Sequence, residues 1–313
     1  VTPEWTRVGE NVGRGGSVEA LHAAFMASSS HRANVVGDYN RVGIGVVVDG
    51  NGTIWVTFNF LKGAGITGAV SVSNVDNGGY LVATAAGGVM SYCGAEFQGG
   101  IDHIQLAQQV VGIAATPSGD GYWMVARDGG IFSFGDAAFQ GSTGGMRLAQ
   151  PIVGMAATPS GRGYWLVASD GGIFAFGDAV FYGSTGGMKL AQPVVGMAST
   201  PSGRGYWLVA SDGGIFAFGD AGFYGSTGGI RLAQPITSMA ATDSGRGYWF
   251  VAKDGGVFAF GDAAFYGSTA TMGLSQPVVG MATAPGGSGY RVVAGDSSVY
   301  SFGNTKAASG AGC

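Results

Sequence analysis

The dipeptide Gly-Tyr recurs six times along this chain at a constant interval of 42 residues, beginning at Gly79 and ending at Gly289. Two consecutive copies, GYWLVASDGGIFAFGDAVFYGSTGGMKLAQPVVGMASTPSGR and GYWLVASDGGIFAFGDAGFYGSTGGIRLAQPITSMAATDSGR, are nearly identical. A period of about 40 residues in glycine-rich, strand-forming sequence is typical of a β-propeller, in which each repeat forms one blade. Because this fold supports many unrelated activities, the repeat constrains architecture far more than function.

One repeat contains four short segments that predict four antiparallel strands. Strands a, b and c are expected over 152–157, 164–168 and 173–176, and a short strand d over 181–184. The sequence Asp-Gly-Gly between b and c favours a tight hairpin, because its residues tolerate positive φ. Strand b is apolar on both faces, which indicates that each blade is buried between two neighbours.

Counting the repeats gives six units, which occupy residues 62–313. The end units diverge from the consensus, since Leu81 and Arg291 stand where the central repeats have Trp. We therefore predict a mainly β protein, with a six-bladed β-propeller over 62–313 preceded by a small α+β module over 1–61.

The two cysteines lie in the first and last of these units. In a closed ring these units are neighbours, so a disulfide between Cys93 and Cys313 would latch the ring. Closing so long a loop stabilises a fold by about 5 kcal/mol in the chain-entropy model. The alternative is two unpaired structural thiols.

The composition narrows the classes of partner and the location. Charged residues make up 11% of the chain, against about 25% in ordinary globular proteins. The net charge is −4 and no basic run exists, so we expect no nucleic-acid partner. No apolar stretch reaches the ~18 residues of a membrane helix, so we predict no membrane span. Low charge and abundant glycine, serine and threonine favour a secreted or extracellular location, including the cell surface.

The first 61 residues do not follow the repeat. Ser17 is placed to cap a helix over 18–29, whose apolar stripe includes Leu21 and Phe25. Two strands are expected over 42–48 and 53–60, joined by an Asp-Gly-Asn-Gly turn that strongly favours a hairpin.

Several motifs in this segment resemble the C-terminal half of a CAP domain, the superfamily of cysteine-rich secretory, antigen 5 and pathogenesis-related proteins. The matching pieces are GENVG at 9–13, SSSHRANVV at 28–36, YNRVGIGVVV at 39–48 and IWVTFNF at 54–60. The resemblance implies that Glu10 and His31 occupy two places of the family's cleft, where they could bind a divalent metal. The family's first His falls upstream of the segment, so the resemblance implies either a polypeptide partner that completes the half-domain or a structural context that replaces the missing half.

The repeats themselves resemble Gly-Tyr-Trp repeats of bacterial secreted proteins. That resemblance covers about four-fifths of the chain and implies an extracellular setting, but it names no ligand. No other cofactor is expected.

Most carboxylates of the repeats recur at two positions of the repeat, which favours a role in turns rather than in catalysis. They are Asp128, Asp170, Asp212, Asp254 and Asp296 between strands b and c, and Asp136, Asp178, Asp220 and Asp262 after strand c. His103 beside Asp102 has no nucleophile marked near it, and a loop histidine is the simpler interpretation. The sequence therefore nominates no catalytic residue.

Cations and aromatic side chains also recur from blade to blade. The candidate ligand-binding residues are Arg162, Arg204 and Arg246 in the a–b turns, and Tyr182, Tyr224 and Tyr266 in strand d. They could form shallow glycan sites, one in each blade. In the alternative interpretation, the tyrosines pack between blades and the arginines pair with aspartates at the rim.

Three hypotheses for the function follow. The leading one is a non-enzymatic extracellular binding or adhesion protein, whose propeller is a rigid platform for cell-surface glycan or protein. The second is a structural subunit of a surface assembly, in which a partner completes the CAP-like half. The third is a secreted hydrolase with its site in the propeller funnel, which would require a unique carboxylate pair.

Overall fold

The computed structural model describes residues 5–35, 41–63, 68–75 and 78–305. The chain divides into two compact units, Val1–Thr67 and Gly68–Cys313. The boundary expected from the sequence, after residue 61, falls inside the last strand of the first unit, Ile54–Gly63.

The described residues of the first unit form three strands and two short helices. In chain order they are β1 (Trp5–Gly15), α1 (Val18–Ala27), α2 (Ser29–Val35), β2 (Arg41–Val48) and β3 (Ile54–Gly63). The strands form an antiparallel sheet in the order β1-β3-β2. The predicted helix and hairpin are confirmed. Strand β1 and helix α2 were missed, because β1 is polar and glycine-rich and α2 is only seven residues long.

Helix α1 packs closely against β1 through two of its apolar residues. Leu21 and Phe25 are buried with Val56 of β3. Gly13 of β1 permits this approach, because a Cβ at that position would lie 2.8 Å from the Phe25 ring. The hydroxyl of Ser17 accepts a hydrogen bond from the backbone N–H of Ala20, 3.2 Å away, as expected for an N-cap.

The second unit contains six three-stranded antiparallel sheets, one for each repeat. The strands are β4 (Ala69–Asn74), β5 (Tyr80–Thr84), β6 (Val89–Tyr92), β7 (Val110–Ala115), β8 (Gly121–Ala126), β9 (Ile131–Gly135), β10 (Ile152–Ala157), β11 (Gly163–Ala168), β12 (Ile173–Gly177), β13 (Val194–Ser199), β14 (Gly205–Ala210), β15 (Ile215–Gly219), β16 (Ile236–Ala241), β17 (Gly247–Ala252), β18 (Val257–Gly261), β19 (Val278–Thr283), β20 (Gly289–Ala294) and β21 (Val299–Gly303). Strands a, b and c of the sequence-based prediction thus form.

The first strands of the six repeats contact one another in a closed cycle, with β19 against β4. This cycle of sheets is the arrangement of a β-propeller. The described residues hold seven three-stranded sheets rather than the predicted six, because the first unit adds β1-β3-β2. The prediction of four strands in each blade is wrong: the segment Phe181–Ser184 and its counterparts run beside the blades without pairing as strands.

That connecting segment serves instead to join neighbouring blades. The indole Nε1 of Trp165 donates to the carbonyl of Val180 at 2.8 Å, which fixes the segment to its own blade. The hydroxyl of Tyr206 in the next blade donates to the carbonyl of Gly183 at 2.6 Å. The rings of Trp165 and Tyr206 are 5.7 Å apart across the junction, and both residues are fully buried. The predicted burial of strand b on both faces is confirmed.

The junction between the last and first repeats, here called the seam, uses different chemistry. Arg291 of β20 replaces the Trp and is almost completely buried. Its guanidinium donates to Asn74 Oδ1 at 2.7 Å and to the carbonyl of Gly78 at 2.9 Å. It also stacks 4.4 Å from the centre of the Tyr80 ring. A buried cation with polar partners therefore closes the ring, whereas a Trp–Tyr contact joins the blades at four of the other junctions.

Cys93 lies beside the seam and adopts a positive φ of 56° at the position where other repeats have glycine. Its predicted disulfide partner, Cys313, lies outside the described residues. The disulfide therefore stays a prediction.

Candidate functional site

One rim of the ring, here called the turn rim, is formed by the turns between first and second strands and by the ends of third strands. In the blade β10-β11-β12, Asp178 accepts hydrogen bonds from Thr158 at 2.9 Å and from Ser160 at 2.5 Å. The same hydroxyl–carboxylate pattern recurs at Asp136, Asp220 and Asp262. These aspartates thus tie two turns of one blade together, which agrees with the structural role expected from their repetition.

Each of the three candidate arginines pairs with the aspartate of its own blade. The Nε–Oδ2 distances are 3.7 Å for Arg162–Asp178 and Arg246–Asp262, and 3.8 Å for Arg204–Asp220. The guanidinium groups are largely exposed, so the pairs contribute little to stability. Their remaining N–H groups face solvent on the turn rim, where a ligand can reach them.

Local contacts lower the pKa of these carboxyl groups. The hydrogen bond from Ser160 has the largest effect on the pKa of Asp178 and lowers it. Burial, the next largest effect, raises the pKa, and the Thr158 bond and the Arg162 charge lower it further. The pKa values of Asp220 and Asp262 are lowered by the same causes. These groups are charged hydrogen-bond acceptors at neutral pH rather than acids.

The candidate tyrosines are half-buried between blades. The Tyr182 hydroxyl donates to the carbonyl of Gly203 in the next blade at 3.3 Å, and its ring lies 5.9 Å from that of Tyr206. Tyr224 and Tyr266 make the equivalent bonds at 3.1 Å. This geometry agrees with the alternative in which the tyrosines pack between blades. A ligand-binding role for them stays a prediction.

The residue before each tyrosine position is a phenylalanine that faces solvent. These residues recur every 42 positions, and each exposes 57–65% of its surface: Phe97, Phe139, Phe181, Phe223 and Phe265. Phe181 follows Val180, which is bound by Trp165, and precedes Tyr182, which reaches the next turn rim. An exposed aromatic ring thus lies three residues after the aspartate of each Arg–Asp pair.

Sequence reasoning missed these phenylalanines because it placed the segment in a fourth strand and considered only the tyrosines of that strand as candidates. The signal that could have revealed them is the consecutive pair Phe-Tyr in three of the repeats. Neighbouring side chains of an extended segment point to opposite sides, so both rings cannot enter one blade junction.

The first strands surround a narrow central channel of about 180 Å³. Its lining consists of Val, Ile, Met, Gly, Ser and Thr residues, including Gly154, Thr237 and Ser238. Hydrolysis of a glycoside needs two carboxyl groups across the substrate, and the channel lining supplies none. This channel is the propeller funnel of the hydrolase hypothesis, and its lining gives that hypothesis no support.

Glu10 and His31 lie on different elements of the first unit, β1 and α2. The His31 Nδ1 is 2.8 Å from the Ser28 hydroxyl, and its ring packs 5.2 Å from Phe25. No hydrogen bond or ion pair joins Glu10 to His31. Within the described ranges, no three His, Cys, Asp or Glu residues come together as a metal site. Metal binding at this pair stays a prediction.

The first unit also contains an open apolar groove of about 570 Å³ between α1 and the sheet. The groove is lined by Leu21 and Phe25 of α1 and by Val46, Val56 and Phe58 of the sheet. Val46 exposes 55% of its surface there. Helix α1 covers β1, so the β2 side of this face has no covering element among the described residues.

Among the residues that the structure describes, no helix is both long enough and apolar enough to cross a bilayer. The closed cycle of antiparallel sheets defines the second unit as a β-propeller. No model of a known family matches the chain, and no curated protein matches it. Among solved structures, the chain is similar to the β-propeller domain of Cps50 (Swd1) from Myceliophteria thermophila, with 10% identity, 75% of this chain and 98% of that chain covered, and a TM-score of 0.46.

Proposed function

We propose that this protein is a non-enzymatic extracellular binding protein whose propeller presents repeated, shallow sites for cell-surface glycan on the turn rim. The observation that carries the proposal is the set of five exposed phenylalanines, one in each of five consecutive repeats. Exposed apolar side chains are common singly, and the opposite rim also exposes an aliphatic residue in successive repeats, such as Met188 and Ile230. The series on the turn rim differs because every member is an aromatic ring.

The chemistry of the turn rim suits sugars. An exposed aromatic ring can stack on the apolar C–H face of a pyranose, which removes apolar surface of both from water. The neighbouring Arg–Asp pairs, such as Arg204 with Asp220, offer donors and acceptors to sugar hydroxyls. Each site is weak alone, but rigid blades hold the sites at fixed spacing, so a polymer that meets several of them binds with high avidity.

The test is retention of the full chain on insoluble peptidoglycan, cellulose and chitin, measured as the bound fraction against polysaccharide concentration. We expect the double variant Phe181→Ala/Phe223→Ala to lose roughly tenfold in apparent affinity, which corresponds to about 1.4 kcal/mol. The matched control is Met188→Ala/Ile230→Ala, because these residues are equally exposed in the same repeats but lie at the opposite rim. The proposal fails if the wild-type chain is not retained on any polysaccharide, or if both double variants are retained alike.

A second candidate function is that of a structural subunit whose first unit is completed by another polypeptide, as the CAP resemblance implies. The specific observation in its favour is the apolar groove beside α1, where the β2 side of the sheet face is exposed. Size-exclusion chromatography with light scattering of the full chain, alone and after Val46→Glu, tests this function. A monomeric wild-type chain that shows no concentration-dependent association contradicts self-assembly through the groove.

A further inference from the structure

The opposite rim of the ring, here called the connector rim, is built by the chain that enters each first strand. In three consecutive repeats a buried threonine anchors this connector to the b–c turn. The hydroxyls of Thr143, Thr185 and Thr227 donate to the carbonyls of Asp128, Asp170 and Asp212 at 2.9–3.1 Å. The same connectors present a cation at their tips, namely Arg147, Lys189 and Arg231.

The connector that enters β19 breaks this pattern. Thr269 is equally buried, but its hydroxyl has no hydrogen-bond partner within the described part of the chain. Gly273, with φ of +64°, stands where the preceding repeats have the cation. In the facing b–c turn, Lys253 stands where the two preceding repeats have Ser169 and Ser211 and the second repeat has Arg127. The lost threonine hydrogen bond and the lost connector cation therefore coincide at one place, beside a turn that carries Lys253.

An open pocket of about 440 Å³ lies at this place. Its lining includes Lys253 and Asp254 of the b–c turn, Gln234 of the preceding connector, and Leu274 and Gln276 of the departing connector. A volume of this size falls within the ~300–1,000 Å³ of small-molecule sites. A departure from near-perfect repetition that coincides with a pocket is the pattern expected when one blade acquires a site of its own.

From this arrangement we infer a binding site for a carboxylated sugar of the uronic acid type. The Lys253 ammonium is exposed and forms no ion pair within the described ranges, so it can bind a ligand carboxylate. Gln234 and Gln276 each offer a donor and an acceptor to neighbouring hydroxyls. Leu274 supplies an apolar wall for the C–H face of a sugar ring.

Asp254 fulfils a structural and a binding role at this site. Its Oδ1 accepts the N–H of Gly256 at 3.0 Å, as in every other b–c turn of the central repeats. Its second carboxylate oxygen is available to accept a sugar hydroxyl. The site is distinct from the phenylalanine series, because it belongs to the connector rim and to a single repeat.

The experiment is isothermal titration of the full chain with galacturonate, with galactose and glycine as comparison ligands. We expect galacturonate to bind, galactose to bind at least tenfold more weakly, and glycine not to bind, because it lacks hydroxyls. Lys253→Ser, which restores the residue of the preceding repeats, is expected to reduce galacturonate affinity roughly tenfold. Gln276→Ala is expected to reduce it severalfold.

The matched control is Lys189→Ser, which removes an exposed cation from the same rim but away from the pocket. Its galacturonate affinity is expected to equal that of the wild type, and thermal melting of every variant verifies folding. The inference is overturned by absence of galacturonate binding, by equal binding of galactose, or by equal losses in Lys253→Ser and Lys189→Ser.

Discussion

Replacing Arg291 with methionine tests whether the seam is held by polar chemistry rather than by packing alone. Methionine fills much of the same volume, so the change removes the charge and the donors while leaving little cavity. It removes the two hydrogen bonds to Asn74 and Gly78, at 2.7 and 2.9 Å, and the cation–π contact with Tyr80 at 4.4 Å.

The expected loss of stability is about 3–5 kcal/mol. Leaving a buried acceptor without its donor costs about 1–3 kcal/mol, and here two acceptors are affected. A desolvated cation–π contact adds about 2 kcal/mol. Part of this loss is offset because the variant no longer buries a guanidinium, whose pKa is lowered by that burial. For a unit of this size, the melting temperature should fall by on the order of 10 °C.

Thermal unfolding followed by circular dichroism measures the change. Arg246→Met is the control, because it makes the same chemical change at an exposed rim pair and should alter stability by no more than about 1 kcal/mol. If Arg291→Met melts within a degree or two of the wild type, or if the two variants lose equal stability, the seam is not held by its buried cation.

Two further predictions concern the repeated turns. Because the folded-state pKa values of Asp178, Asp220 and Asp262 are lowered, the stability that these groups contribute is present above the unfolded value of about 4 and is lost as the pH falls through the folded values. Urea unfolding at pH 3 and pH 6 should show the loss, and Asp178→Asn should make it smaller; an unchanged difference would contradict the assignment. Thr185→Val should cost about 1 kcal/mol through its lost hydrogen bond, whereas Thr269→Val should cost less, because its hydroxyl has no described partner. Chemical denaturation of both variants compares them, and a larger loss at position 269 would refute this account.

The strands of the propeller were predictable because each repeat alternates apolar strand-formers with Asp-Gly turns. The fourth strand was not, because its failure to pair depends on the next blade. Gly183 has φ of +142° and lies against the Phe218 ring of that blade, so the segment bends away from the sheet. A local pattern cannot report a contact that only the closed ring creates. Strand β1 was missed for the opposite reason: its glycines are needed by helix α1, not by its own strand.

Some features of the candidate site could likewise be predicted from the sequence, and others could not. The Arg–Asp pairs followed from strand direction, since the a–b turn and the end of strand c share a rim. Exposure of Phe181 did not follow, because apolarity alone does not tell a buried ring from a solvent-facing one. The pocket at Lys253 could not be predicted from the repeat pattern either, because its lining residues are separated in the sequence and only the fold brings them together.

The seam residues also distinguish the two end repeats from the central repeats, which are nearly identical to one another. The central blades have nearly the same residues at their junctions, so these junctions do not specify which blades are neighbours. Arg291, in contrast, has an asparagine partner, Asn74, only in the first repeat. The pair therefore determines which two ends of the chain meet, but not how many copies lie between them. Duplicating one central repeat would leave both partners of the seam intact and enlarge the ring. The double change Arg291→Trp and Asn74→Thr would give both ends the residues of the central repeats. Chains would then be free to join end to end into open assemblies.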